Sequence, residues 1–154
     1  MAPILQRKRE TFTMPSRHAL LAGVVLSVVG CSDRPFDMVK VEGAVLYSDG
    51  AEIPAARIVV TFHPQDAPAN ERRHPRPGQA VVRQSGGLFD VVTSHEYADG
   101  IVAGRHKVTV VAQDEDWRPA RGLIPAKYAS VATTPLSVDA SDSPFKLLIS
   151  RPAP

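Results

Sequence analysis

Apolar and polar residues alternate along most of the chain after residue 38, and this period of two predicts half-buried β-strands. Seven segments show the pattern, and we expect each to form a strand: 39–47, 57–63, 78–84, 88–93, 105–112, 136–139 and 145–150. The residues predicted to face the core are Val39, Val41, Val45, Tyr47, Ile58, Val60, Phe62, Phe89, Val91, Val108, Val110, Phe145, Leu147 and Ile149.

Turn and loop residues separate these predicted strands. Ser85-Gly86-Gly87 makes a tight connection between the third and fourth strands, which predicts a hairpin. Residues 64–77, 95–103 and 113–133 lack the alternation and are predicted to be loops. Short strands without crossover helices predict an all-β fold, namely a seven-stranded antiparallel β-sandwich. The alternation is compatible with either a transthyretin-like or an immunoglobulin-like strand order.

A basic leader and a short apolar run precede the first strand. Residues 19–30 are apolar, but a helix needs about 20 residues to span a bilayer. The run ends in Val28-Val29-Gly30-Cys31, which resembles the lipobox of bacterial lipoprotein signal peptides. This resemblance implies cleavage before Cys31 and a diacylglyceryl anchor on its thiol. The alternative is that residues 19–30 form a buried helix or strand and that Cys31 is an ordinary small apolar residue.

This interpretation divides the chain into a signal peptide at 1–30, a tether at 31–38, a β domain at 39–150 and a tail at 151–154. Translation from Met14 instead of Met1 would shorten only the leader. With a single cysteine in the chain, no intramolecular disulfide can form. A packed core must therefore stabilise the domain.

Removal of the leader also changes the charge. The whole chain has a formal net charge of +2, whereas the part from Cys31 onward has fourteen Lys and Arg against fifteen Asp and Glu. A nearly balanced surface argues against nucleic-acid binding, which depends on neutralising phosphates. We therefore expect no nucleic-acid partner.

Two sets of short motifs resemble a known domain family. The first set is similar to the opening of carboxypeptidase-regulatory-like, or transthyretin-like, domains: Val41-Glu42-Gly43-Ala44-Val45, Asp49-Gly50, Ile53-Pro54-Ala55-Ala56 and Val60-Thr61-Phe62. The second set resembles the planctomycete-type bacterial lipoproteins that carry this domain: Gly86-Gly87-Leu88-Phe89, Gly104-Arg105-His106-Lys107-Val108 and Ile124-Pro125-Ala126-Lys127-Tyr128. His106 stands where such domains usually have a tyrosine, a departure that bears on any corner hydrogen bond made by that tyrosine.

The histidines and acidic residues do not have the spacing of a metal site. Four histidines follow the leader, and no two of them are placed as metal-binding pairs usually are. His106 alternates in step with Val108 and Val110, which places it on the inward face of its strand. We interpret it as a hydrogen-bonded residue at the edge of a sheet. Asp114-Glu115-Asp116 lacks a D-x-D-x-D-G pattern, so we interpret it as a solvated loop rather than a calcium site. We expect no metal and no cofactor.

Three aromatic residues in predicted loops are the candidate ligand contacts. They are Tyr97, Trp117 and Tyr128, and loop aromatics of this kind can provide a stacking platform for sugars. The alternative is that they pack against their own loops. Arg72, Arg73, His74 and Arg76 form a basic patch that would either contact anionic envelope polymers or lipid head groups, or keep a long loop soluble.

The sequence predicts no enzyme. No serine lies in a G-x-S-x-G or S-x-x-K motif. Hydroxyisourate hydrolases share the transthyretin fold, but their C-terminal Tyr-Arg-Gly-Ser motif is missing from Ile149-Ser150-Arg151-Pro152.

We therefore expect a lipoprotein of the bacterial cell envelope, held by Cys31 on the extracytoplasmic side of a membrane. Its β domain would be a non-catalytic structural or binding module, whose partners are the membrane and an envelope polysaccharide or protein. The alternatives are a carbohydrate- or peptide-binding receptor domain and, less favoured, a transthyretin-like hydrolase.

Overall fold

The computed structural model describes residues 36–66, 74–82 and 85–153. These ranges contain nine strands: β1 Met38–Val39, β2 Gly43–Tyr47, β3 Arg57–Pro64, β4 Gly78–Val82, β5 Leu88–Phe89, β6 Ile101–Val102, β7 Arg105–Gln113, β8 Ser137–Asp139 and β9 Phe145–Ile149. Short 3-10 turns lie at Ser85–Gly87, Ala126–Ala129 and Ala140–Asp142. This part of the chain is predominantly β, as the alternation predicts. None of its helices is long and apolar enough to cross a membrane.

The strands form three open sheets. The largest has the order β4-β3-β7-β8, the second has the order β5-β2-β9, and β1 pairs with β6. Strand β2 runs antiparallel to β5 but parallel to β9, with Gly43 opposite Phe145 and Tyr47 opposite Ile149. The prediction of seven strands that are all antiparallel is therefore wrong in number and in direction. Strands of two residues are too short to show an alternation, and local pattern carries no information about the direction of a distant partner.

One hydrophobic core contains side chains from both larger sheets. The ring of Phe62 lies 6.0 Å from that of Phe89 and 5.6 Å from that of Phe145, measured between centroids. Most of the residues predicted to face the core are buried: Val41, Val45, Tyr47, Ile58, Val60, Phe62, Phe89, Val108, Val110, Phe145, Leu147 and Ile149. Val39 is only half-buried.

The predicted hairpin of residues 78–84 and 88–93 does not form as a ladder, and one antiparallel bridge, between Gln79 and Thr93, joins these segments. Strand β4 pairs with β3 in the four-stranded sheet, whereas β5 pairs with β2 in the three-stranded sheet. Gly87 has a φ of +65°, and a Cβ at this position would collide with the carbonyl oxygen of Val45. Strand β5 ends at Phe89, so the alternation does not continue: Val91 is 39% exposed and Val92 is buried.

His106 is buried in the interior of the four-stranded sheet rather than at its edge, because β7 pairs with β3 on one side and β8 on the other. Its Nε2 donates a hydrogen bond of 2.7 Å to the carbonyl oxygen of Val102 in β6. The ring also meets Phe62 edge-on, with centroids 6.4 Å apart. The histidine therefore links β7 to the backbone of β6, four residues upstream.

Candidate ligand-binding face

The four-stranded sheet has a second face, opposite the core, which we call the outer face. It is formed by the alternate residues of β3, β4 and β7, namely Arg57, Val59, Thr61, His63, Gln79, Val81, Lys107, Thr109, Val111 and Gln113. The register places these side chains in rows across the strands. One row is apolar and joins Val81, Val59 and Val111, and the next is polar and joins Gln79, Thr61 and Thr109.

Trp117 lies at one end of the outer face and is 54% exposed. The guanidinium carbon of Arg57 is 4.0 Å from the centroid of the Trp117 ring, which is a cation–π contact. The same guanidinium donates from Nη1 to the carbonyl oxygens of Asp114, at 2.7 Å, and Glu115, at 3.1 Å. Arg57, the first residue of β3, therefore holds the loop of Trp117 against the sheet.

The acidic segment Asp114-Glu115-Asp116 supports the shape of this loop. Oδ1 of Asp114 accepts hydrogen bonds from the backbone N–H of Asp116, at 3.0 Å, and of Arg118, at 2.9 Å. A carboxylate that caps two backbone groups fits the interpretation of this segment as a structural loop. Within the ranges that the structure describes, no three His, Cys, Asp or Glu side chains are grouped so that they could hold a metal ion.

Tyr97 flanks the outer face on the side of β4 and is 84% exposed. Its loop is held by Asp99, whose carboxylate accepts hydrogen bonds from the N–H groups of Ser94, His95 and Glu96 at 2.8, 3.0 and 2.9 Å. A single carboxylate that accepts three backbone bonds restricts the loop strongly. Tyr97 is therefore presented to solvent on a well-defined turn.

Replacement of Asp99 with alanine is expected to lower the free energy of unfolding by about 1–2 kcal/mol at neutral pH, as the loss of an aspartate cap does. Partial burial alone would raise the pKa of Asp99, but hydrogen bonds from the backbone outweigh it and hold this pKa below the usual 3.8. Because the pKa of Asp99 is lower in the folded than in the unfolded chain, the ionised carboxylate stabilises the fold at pH values above the pKa of the unfolded chain. This stabilisation is lost as the pH falls through the pKa of the folded chain. Chemical denaturation at pH 7 and pH 3 measures the effect. If the parent and the variant differed in free energy of unfolding by the same amount at pH 7 and at pH 3, the result would contradict this role.

A groove of about 660 Å³ separates Tyr97 from the sheet. Its floor is formed by outward side chains of β3 and β4, and its wall by Tyr97 and neighbouring loop residues. The lining residues are Thr61, Pro77, Gln79, Val81, Val91, Thr93, Ser94 and Tyr97. The exposure of Val91, which the alternation places in the core, follows from its position in this wall.

A strained backbone residue lies at or directly beside each of the exposed aromatic residues Tyr97 and Trp117. Within the described ranges, Ala98 and Trp117 are the non-glycine residues with positive φ, at 57° and 65°. This region costs a residue with a Cβ about 1 kcal/mol or more, and such strain concentrates at binding and catalytic sites. The fold therefore maintains two unfavourable conformations, one at Trp117 and one directly after Tyr97.

Two ionisable residues of the outer face make contacts within the fold. Nε2 of His63 lies 3.0 Å from Oγ1 of Thr109, and Nζ of Lys107 donates to the carbonyl oxygen of Val131 at 3.3 Å. Burial lowers the pKa of His63 below its usual 6.5, and its electrostatic interaction with His106 acts in the same direction, so both favour the neutral ring.

Tyr128 is not a surface contact, and this part of the prediction is wrong. Its ring is buried in the core, and its hydroxyl accepts a hydrogen bond of 3.0 Å from the N–H of Ser150. Tyr128 therefore holds its loop against the core and against Ser150, which follows β9. Cys31, Arg72 and Arg73 lie outside the described residues.

Thr61 and Gln79 form the floor of the groove and were not among the ligand contacts predicted from the sequence. Their outward parity was visible, since they alternate with Phe62 and Ala80, but nothing local indicates that the Tyr97 loop folds over them. Comparison of the chain with known protein families, with curated proteins and with solved structures gives no match.

Proposed function

We propose that this protein is a lipid-anchored lipoprotein of the bacterial cell envelope, whose β domain binds a polysaccharide on the outer face of the four-stranded sheet. The proposal combines the lipobox-like sequence at Cys31 with the arrangement of aromatic and polar side chains on that face. The membrane and an envelope polysaccharide are then its two partners.

One observation carries the binding part of the proposal: Tyr97 and Trp117 are both exposed and both border the same sheet face. Trp117 stacks on Arg57, and Tyr97 lines the groove with Thr61, four residues further along β3. Four residues of strand correspond to about 13 Å. This distance separates the two positions on β3, with the apolar row of Val59 between them and the polar row of Thr61 at the Tyr97 end. A sheet face bordered by two aromatic residues in this way suits an extended chain of sugar units.

The domain is proposed to be non-catalytic. His106, which a hydrolase would need at a surface, is buried and donates to the carbonyl oxygen of Val102. His63 is engaged with Thr109 on the outer face. These two histidines project from opposite faces of the sheet, since His106 faces the core, so they do not converge on a common substrate.

The finer description of the fold is also a proposal. A core that receives side chains from a four-stranded and a three-stranded sheet is compatible with a transthyretin-like β-sandwich. One fold can carry many functions, and the function of a given chain comes from a site built on the fold. A binding face on one sheet is consistent with that use of the fold.

The proposal is tested by sedimentation of the full chain, purified in mild detergent, with insoluble polysaccharides such as cellulose, chitin and mannan. We expect the parent to bind at least one of them. The double variant Tyr97→Ala/Trp117→Ala should lose about tenfold in affinity or more, because each aromatic contact contributes about 0.5–1.5 kcal/mol. Leu88→Ala removes an exposed apolar side chain from the other sheet and serves as the control. Equal binding by the double variant would contradict the proposed site.

A further inference from the structure

We infer that the groove beside Tyr97 takes an uncharged, hydroxyl-rich sugar unit, so that the polysaccharide recognised by this protein is a neutral glycan. The inference rests on the proposed function, because it assigns a chemical class to the ligand of the same face. It is carried by the side chains that line the groove and by the way the fold fixes them.

Among the residues that the structure describes, none of those lining this groove is charged. Its walls and floor consist of four hydroxyl-bearing residues, one amide and three apolar residues. Hydroxyl and amide groups both donate and accept hydrogen bonds, as sugar hydroxyls do. A carboxylate or sulfate on the ligand would lose its water there without gaining an opposite charge, which is costly.

A second groove in the described part of the chain provides a contrast. It has a volume of about 470 Å³, lies on the three-stranded sheet, and is bordered by Glu42, Asp90 and Lys146 as well as by apolar residues. Charged side chains therefore border one groove of this domain, whereas the described walls of the Tyr97 groove are uncharged.

Gln79 is the residue that we expect to determine specificity. Its backbone is held on both sides, since it pairs with Thr61 in β3 and exchanges hydrogen bonds of 2.8 and 2.9 Å with Thr93. Its side chain is exposed on the floor of the groove. An amide on a fixed backbone, in the same groove as a tyrosine ring, can bond to the hydroxyls of a sugar that stacks on the ring.

The inference is tested by affinity electrophoresis of the full chain, in mild detergent, through gels that contain soluble polysaccharides. Dextran, mannan and β-glucan represent neutral glycans, and alginate and polygalacturonate represent anionic ones. We expect retardation by at least one neutral glycan, unchanged between low and high salt because no ion pair is involved. Tyr97→Ala and Gln79→Glu should each weaken this retardation about tenfold, which corresponds to about 1.4 kcal/mol.

Two variants keep the result interpretable. Tyr97→Phe retains the ring and should keep most of the affinity, and Leu88→Ala should behave as the parent. Retardation by the anionic polymers alone, weakened by salt and unaffected by Gln79→Glu, would overturn the neutral-glycan assignment while leaving polysaccharide binding intact. Failure to bind any glycan, or binding to extended peptides only, would overturn both the assignment and the proposed function.

Discussion

Replacement of Phe62 with alanine is expected to lower the free energy of unfolding by about 3–5 kcal/mol, the range observed when a buried phenylalanine is truncated. The side chain is fully buried in β3, and it packs against Phe89 and Phe145 of the other large sheet and against His106. Its removal leaves a cavity at the point where both sheets contribute to the core. For a small domain this is a large share of the total stability, which is about 5–15 kcal/mol.

Chemical denaturation of the full chain in mild detergent, followed by circular dichroism, measures this loss. The neighbouring valines 91 and 92 provide a matched control, because one is exposed and the other is buried. Val91→Ala should change the stability by less than about 0.5 kcal/mol, as exposed substitutions do, whereas Val92→Ala should cost clearly more. If Phe62→Ala unfolded at the same denaturant concentration as the parent, the assignment of Phe62 to a shared core would be wrong.

The sequence predicted the individual strands better than their partners. Burial alternates along β3 and β9, and in β7 it is interrupted by the buried Thr109, so the inward residues Phe62, Val108 and Leu147 could be identified from the alternation alone. The physical reason is that burial on one face imposes a period of two wherever the strand is long enough to show it. Pairing depends on contacts between distant segments, and those leave no local pattern.

Residues 78–93 show where this limit affects the fold. A short glycine-rich connection between two apolar segments normally indicates a hairpin. Here the glycines serve another purpose: Gly87 passes so close to the backbone of Val45 that a side chain would collide, and the chain enters the other sheet. The same glycines are compatible with both structures, so the sequence could not distinguish a hairpin from a crossover.

The candidate site was predicted in part for a similar reason. Aromatic residues in polar loops are conspicuous in a sequence, so Tyr97 and Trp117 could be identified and the structure places both at the surface. Tyr128 has the same local appearance, but its hydroxyl meets Ser150 and its ring is buried. Whether an aromatic residue covers the core or faces solvent is decided by packing between distant segments, as is the position of Gln79 beneath the Tyr97 loop.

Replacement of Cys31 with serine is expected to release the protein from membranes, the largest change of localisation that a single substitution in this chain should cause. In the proposed lipoprotein, the acyl chains on Cys31 hold the domain, and each buried methylene contributes about 0.8 kcal/mol. One acyl chain binds only marginally and two or more bind stably, so losing all of them should eliminate anchoring. The largely apolar stretch before Cys31 is twelve residues long, which is shorter than the roughly 20 needed for a spanning helix.

Partition between a detergent phase and an aqueous phase measures this anchoring directly. The parent should enter the detergent phase, Cys31→Ser should remain in the aqueous phase, and Ser32→Ala, at the neighbouring position, should behave as the parent. Mass spectrometry of the parent should show an N-terminal Cys31 that carries acyl groups. An unmodified Cys31 in protein recovered from membranes would show that another part of the chain holds it there, because a free thiol adds too little apolar surface to anchor a domain.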